Sequence, residues 1–156
     1  MLEFALVLPV LIMFLVGIIT GGIFLFSEGT ANSAAESAVH IEAVLGTSSL
    51  ADTNAVSIIR NAFSGPVKIS EIDVYKLKLQ TSGLLSADST ATNVYKADGT
   101  VVQQEWLPST RDVIAGSQDY LGITIKYKFA SGFGPFSGIQ LTSYSAIQLE
   151  PSEPQP

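Results

Sequence analysis

The sequence predicts an α+β protein with a long amino-terminal hydrophobic helix, a short second helix and a small antiparallel β-sheet. Three observations carry this. From Phe4 to Ser27 no side chain is charged. From Ser27 to Leu45 small and apolar residues recur every three or four positions, which is the helical period. Beyond Pro66 the period drops to two, as in a strand with one face buried.

The uncharged run is long enough to span a membrane, since at about 1.5 Å per residue it reaches about 36 Å against a hydrocarbon core of about 30 Å. It does not read as a signal peptide, whose shorter apolar stretch would follow a basic leader, because no Lys or Arg precedes Arg60. Membrane proteins orient by basic residues on the cytoplasmic flank, so the chain is expected to be a processed form that has lost such a leader. Residues 1–26 are therefore assigned to a hydrophobic transmembrane helix and 27–156 to a globular domain outside the cytoplasm. Within the helix, Pro9 removes a backbone donor and predicts a kink. Gly17 and Gly21 have the G-x-x-x-G spacing that lets helices approach closely in an apolar medium; the ordinary glycine enrichment of membrane helices gives the same spacing.

The first helix is expected to continue over 27–46, placing a narrow apolar stripe of Ala31, Ala34, Ala35, Ala38, Ile41 and Leu45 on the domain, with Gly46 as terminator. His40 has no catalytic company and reads as an exposed or satisfied helix residue. Asp52 or Thr53 is expected to cap a second helix over 54–63 whose apolar face is Ile58, Ile59, Ala62 and Phe63, ended by Ser64-Gly65-Pro66. The sheet is expected over 67–149. Val67 to Leu79 reads as a strand whose alternation slips near Ile72, the mark of a bulge. Thr81 to Asn93, rich in Ser, Thr and Ala, reads as an exposed loop. Val94 to Val102 reads as a hairpin about Asp98-Gly99, and Trp106 to Gln118 as a polar connection. Tyr120 to Phe129 is the clearest strand, with Leu121, Ile123, Ile125, Tyr127 and Phe129 on one face. A Gly/Pro/aromatic loop at 131–136 leads to a last strand, Ile139 to Leu149, and residues 150–156 form an extended tail.

Composition narrows the function. The 156 residues leave room for one membrane helix and one small domain. A net charge of −6 with scattered basic residues argues against nucleic acid, which requires clustered Lys and Arg. The chain has no Cys, so neither a disulfide framework nor a thiolate metal site is available. Carboxylates are dispersed, no HExxH, GxSxG or P-loop string occurs, and no cofactor, metal or enzymatic activity is expected. Asp88 and its Ser/Thr neighbours lack the ligand spacing of a calcium loop and read as solvated.

The string Glu3-Phe4-Ala5-Leu6-Val7-Leu8-Pro9-Val10-Leu11 resembles the amino terminus of type IV pilin-like proteins, and specifically the TadE-like family of tight-adherence (Tad) pilus proteins. The closing pattern, a hydrophobic strand, a Gly/Pro loop and Leu141-Thr142-Ser143-Tyr144-Ser145-Ala146-Ile147 before an acidic end, is similar to that family too. Residues 80–118 carry no resemblance and are where chain-specific surface chemistry is expected. The resemblance implies a pilin-like fold and a structural subunit of a surface pilus filament, inserted in the cytoplasmic membrane as a processed prepilin and then polymerised through residues 1–26 as the filament core. It implies other copies, a prepilin peptidase and the inner-membrane assembly machinery as partners. Glu3 would pair with the free amino group of a neighbouring subunit; as residues alone, Glu3 also fits an interfacial snorkelling carboxylate. The assembly residues are then Glu3, Phe4, Leu8, Pro9, Leu11, Leu15, Gly17 and Gly21. Two other roles stay open: a minor tip or priming pseudopilin, and a single-pass membrane-anchored binding domain that never polymerises.

Overall fold

A 44-residue helix, α1 (Leu2–Leu45), dominates the computed structural model, which describes residues 2–63, 67–130 and 138–151, with side chains from Val7 onward. The helix passes through Pro9 without a break in its assignment. Gly46 ends it at φ +50°, a left-handed conformation that Gly adopts without strain, and its N–H closes the last turn on the Glu42 carbonyl at 2.9 Å. The chain then turns back into α2 (Ala51–Ala62), which packs on α1.

The remaining elements form one antiparallel sheet of β1 (Val67–Leu79), β2 (Leu85–Lys96), β3 (Val101–Gln104), β4 (Tyr120–Phe129) and β5 (Gln140–Gln148), in the spatial order β3-β2-β1-β4-β5. Both hydrophobic central strands are flanked on each side, as their burial demands. The register sets Ile72 of β1 between Tyr95 of β2 and Ile125 of β4, and Val74 between Asn93 and Ile123. These residues, with Leu121, Tyr127 and Phe129, form the inner face. They meet Ala31, Ala34, Ala35, Ala38 and Val39 of α1 and Ala55, Val56 and Ile59 of α2. Alanine at the α1 contact lets a helix axis lie close to the sheet, and cores of this kind are close-packed. On the outer face Gly122 stands opposite Tyr75, whose ring would be 2.6 Å from a Cβ at that position, so the ring needs glycine beneath it.

Beyond Ile41, which is 39% exposed rather than part of the buried stripe of α1 because Val39 and Ala43 face the sheet there, three expectations change. β2 begins at Leu85, so most of the Ser/Thr-rich stretch expected as a loop is strand. Most of its side chains are exposed or half-buried and its first half shows no alternation of apolar residues, yet its β-branched content and its pairing with β1 suffice. Second, α2 starts three residues before the expected 54, with Leu50 at its N-cap and no side-chain cap hydrogen bond. Asp52 caps nothing because its carboxylate is drawn inward to a cation. Third, the slip in β1 is two register shifts, between Ile69 and Glu71 and between Tyr75 and Leu77, on either side of Ile72. The hairpin turn, with Gly99 at φ +85°, the strand Tyr120–Phe129 and the exposed His40 are as expected. The expected helix stop at 64–66, the 131–136 loop and the last five residues of the tail lie outside the described residues.

Candidate assembly site: the amino-terminal arm

The lower half of α1 has almost no protein around it. Met13 is 79% exposed, Phe14 71%, Ile18 70% and Phe26 77%, values that no water-soluble surface of this length sustains. The helix is long and apolar enough to cross a membrane, and only 6% of its most apolar window is buried within the protein, which separates it from the core helix of a soluble domain. The polar side chains in the run are satisfied inside the helix. Thr20 Oγ1 donates to the Val16 carbonyl at 2.7 Å and Ser27 Oγ to the Ile23 carbonyl at 2.8 Å. Such back-bonding removes the cost of placing a hydroxyl in an apolar medium.

Helical geometry sorts the expected assembly residues into two sets. At about 100° per residue, Leu8, Leu11 and Leu15 fall on one side of α1, and all three are exposed. Gly17 falls on the opposite side, in line with Ala31, Ala35 and Ala38, which higher up face the sheet, and Gly21 lies on the flank between the two sides. A Cβ at Gly17 would meet nothing within 4 Å, so that position is open. Leu8, Leu11 and Leu15 therefore cannot share one contact with Gly17. Pro9 lies between turns of the same continuous helix, and the side chains of Glu3 and Phe4 lie outside the described residues.

The upper half of α1 is locked to the domain by a buried ionic cluster. Arg111, from the connection between β3 and β4, has a side chain with no exposed surface. Its Nη1 lies 2.9 Å from Glu42 Oε1 of α1 and its Nη2 2.5 Å from Asp52 Oδ1 of α2. The guanidinium lies over the Trp106 ring, 4.5 Å from its centroid. Tyr95 Oη donates to Asp52 Oδ2 at 2.5 Å, as does Asn93 Nδ2 at 2.7 Å, and Asn93 also exchanges hydrogen bonds with the Trp106 backbone. Two carboxylates against one cation leave an excess negative charge in a dry site. Burial, only partly offset by Arg111, pushes the Glu42 carboxyl well above its usual range, and the charge of Asp52 pushes the same way. Burial would also raise Asp52. The neighbouring Glu42 carboxyl, Arg111, Tyr95 and Asn93 outweigh that and hold it below its usual value. The two carboxyls are thus pushed in opposite directions, Glu42 up and Asp52 down.

Sequence reasoning missed this cluster. Glu42 sits four residues after Ala38 and seven after Ala35, inside the apolar stripe of α1, and a carboxylate there requires a partner. The chain holds only two arginines, Arg60 and Arg111, so the signal was present although the pairing was not. Among the described residues no group of His, Asp and Glu is arranged to hold a metal. Asp88, in β2, forms an ion pair with Lys78 at 2.6 Å.

Neither a curated protein nor a solved structure matches the chain. A family model does: the model described as TadE-like protein matches residues 1–40. The segment that forms the exposed arm and the first turns on the domain thus carries the signature of the TadE-like proteins, a pilus-related structural family, and fits a membrane-anchored protein.

Proposed function

We propose that this protein is a structural subunit of a Tad-like surface filament, held in the cytoplasmic membrane by α1 before assembly and then polymerised through that helix onto the cell surface. The observation that carries the reading is the arm itself. Each large apolar side chain left in water forfeits about 1.5–3 kcal/mol of burial, so leaving the bilayer must be coupled to burial against other copies. The two faces of the arm suit this. A leucine ridge on one side and the open Gly17 position on the other favour a contact between unlike faces, and unlike-face contacts that do not close produce open helical assemblies. Glu3 would set the axial register, its carboxylate neutralised by the amino terminus of an adjacent subunit, because an ionised carboxylate beside hydrocarbon needs a partner.

A bilayer alone would also cover the arm, as in a non-polymerising single-pass anchor, and one experiment separates the two roles. Surface filaments are sheared from cells expressing Leu11→Lys, Glu3→Ala or the unaltered chain, and the share of this protein in them is measured against the share left in membranes. Loss of filament incorporation by Leu11→Lys, with the domain folded, supports the filament role. Absence of the unaltered chain from every filament sinks it, and normal incorporation of Glu3→Ala removes the register role of Glu3.

A further inference from the structure

Basic side chains are not spread evenly over the domain. Lys76, Lys78, Lys126 and Arg111 are each held by carboxylates, whereas Arg60, Lys68, Lys96 and Lys128 form no ion pair among the described residues. These four come from three strands and a helix, and the fold gathers them at one end. Lys68 and Lys128 are register partners in β1 and β4. Arg60 and Lys68 line one open cavity of about 510 Å³ together with Ala97, the neighbour of Lys96, and Arg60 Nη1 would lie 3.2 Å from a Cβ on Gly99 of the same turn.

That end is the one from which the apolar arm emerges. Phe24 of α1 packs edge-on against Phe129 at the close of β4, ring centroids 5.7 Å apart. Asn32 is bonded by Ser143 further up, and the Ala43 carbonyl meets Glu150 at the far end. From Leu2 to Phe24 the helix rises about 33 Å, against a hydrocarbon core of about 30 Å. With α1 spanning a bilayer and the Glu3 carboxylate held at one interface, the level of Phe24 and Phe129 falls at the other interface, and the four cations that form no ion pair among the described residues lie at that end of the domain. Among the described residues the acidic groups at this end are Glu28, close enough to Tyr127 to raise its pKa after burial has done so, Asp98 beside Lys96, and Glu71 and Asp73, both held by Lys126. Glu105, Asp112 and Glu150 lie at the opposite end, near the Arg111 cluster and the top of α1.

We propose that Arg60, Lys68, Lys96 and Lys128 form a collar that seats the domain on anionic phospholipid headgroups while α1 is in the membrane, and that this seating is released when the subunit is extracted. The proposal rests on membrane anchoring through α1 and is independent of polymerisation. An acidic protein would otherwise be repelled by a negatively charged bilayer; gathering its free cations on the membrane side reverses this locally.

The chain contains no Cys, so one introduced thiol labels cleanly. The full chain carrying Ala97→Cys, or Ser49→Cys at the far end as reference, is labelled with a fluorophore and reconstituted into vesicles that contain headgroup-quencher lipid. The vesicles are either neutral phosphatidylcholine or phosphatidylcholine mixed with phosphatidylglycerol. Apposition at position 97 relative to 49 is expected to be at least about fivefold greater on the anionic vesicles and to vanish at 1 M salt, where the Debye length is about 3 Å. The fourfold Lys/Arg→Gln variant should behave on anionic vesicles as the unaltered chain does on neutral ones. Equal quenching on both vesicle types overturns the proposal without any variant. So does a folded fourfold variant that keeps its lipid apposition but loses filament entry, which would assign the cations to a second copy. A chain that fails to float with vesicles overturns anchoring and the collar together, while normal flotation with no filaments leaves the collar supported and only the polymerisation reading lost.

Discussion

The two halves of α1 are one helix built for two surroundings. Below Ser27 its side chains are Leu, Ile, Val, Phe and Met, mostly exposed, with hydroxyls bonded back to their own helix. Above Ser27 the face toward the sheet is mostly Ala, with Val39 and Glu42, and is fully buried. The lower half achieves its burial in something outside the chain, so large side chains serve it. The upper half must let a sheet approach, so small ones do. Damage to the lower half should appear in location and assembly, and damage to the upper half in folding stability.

The largest effect expected inside the domain is that of Arg111→Ala. It leaves the Glu42 and Asp52 carboxyls without their cation in a dry site, and removing one member of a buried ionic set costs about 3–5 kcal/mol. Urea unfolding of the detergent-solubilised chain, followed by Trp106 fluorescence, measures it. A loss below about 1 kcal/mol would mean that the cluster does not fasten α1 to the domain.

Overpacking is expected to come next. Ala35→Leu forces a branched side chain between α1 and the sheet, at about 1–3 kcal/mol. Ile18→Ala, although it deletes a larger apolar group, should leave the same unfolding transition within about 0.5 kcal/mol, because Ile18 is 70% exposed. Equal destabilisation by both would break the contrast between the two halves.

The smallest effect is a pH dependence, and its sign follows from the two shifts. Glu42 is raised above 4.5 in the folded protein, so its contribution is full below that value and is lost as pH rises through the folded pKa. Asp52 is held below 3.8, so its contribution is present above that value and is lost as pH falls through the lower, folded one. The contribution of this pair should therefore peak in mildly acidic solution. Glu42→Gln keeps the shape but cannot ionise, and should flatten the decline on the alkaline side while leaving the acid limb intact. An unchanged alkaline limb would show that Glu42 is not the group that titrates there.

The sequence by itself determined the arm, the helix stop at Gly46, the hairpin at Asp98-Gly99 and the strand Tyr120–Phe129. Each is written in neighbouring residues as an uncharged run, a turn pair or an alternation, and the physical cause acts over the same few residues. The TadE-like match to residues 1–40 is local in the same way. Only the tertiary structure decided the rest. β2 was illegible because its outward side chains are polar on both sides and its strand character comes from pairing with β1. Asp52 looked like a helix cap because its partner, Arg111, lies 59 residues on, and no local pattern registers a contact that distant. The collar of Arg60, Lys68, Lys96 and Lys128 read as scattered charge for the same reason. Those residues come together only because α2, β1, β2 and β4 all have an end at the foot of the domain, where α1 leaves it.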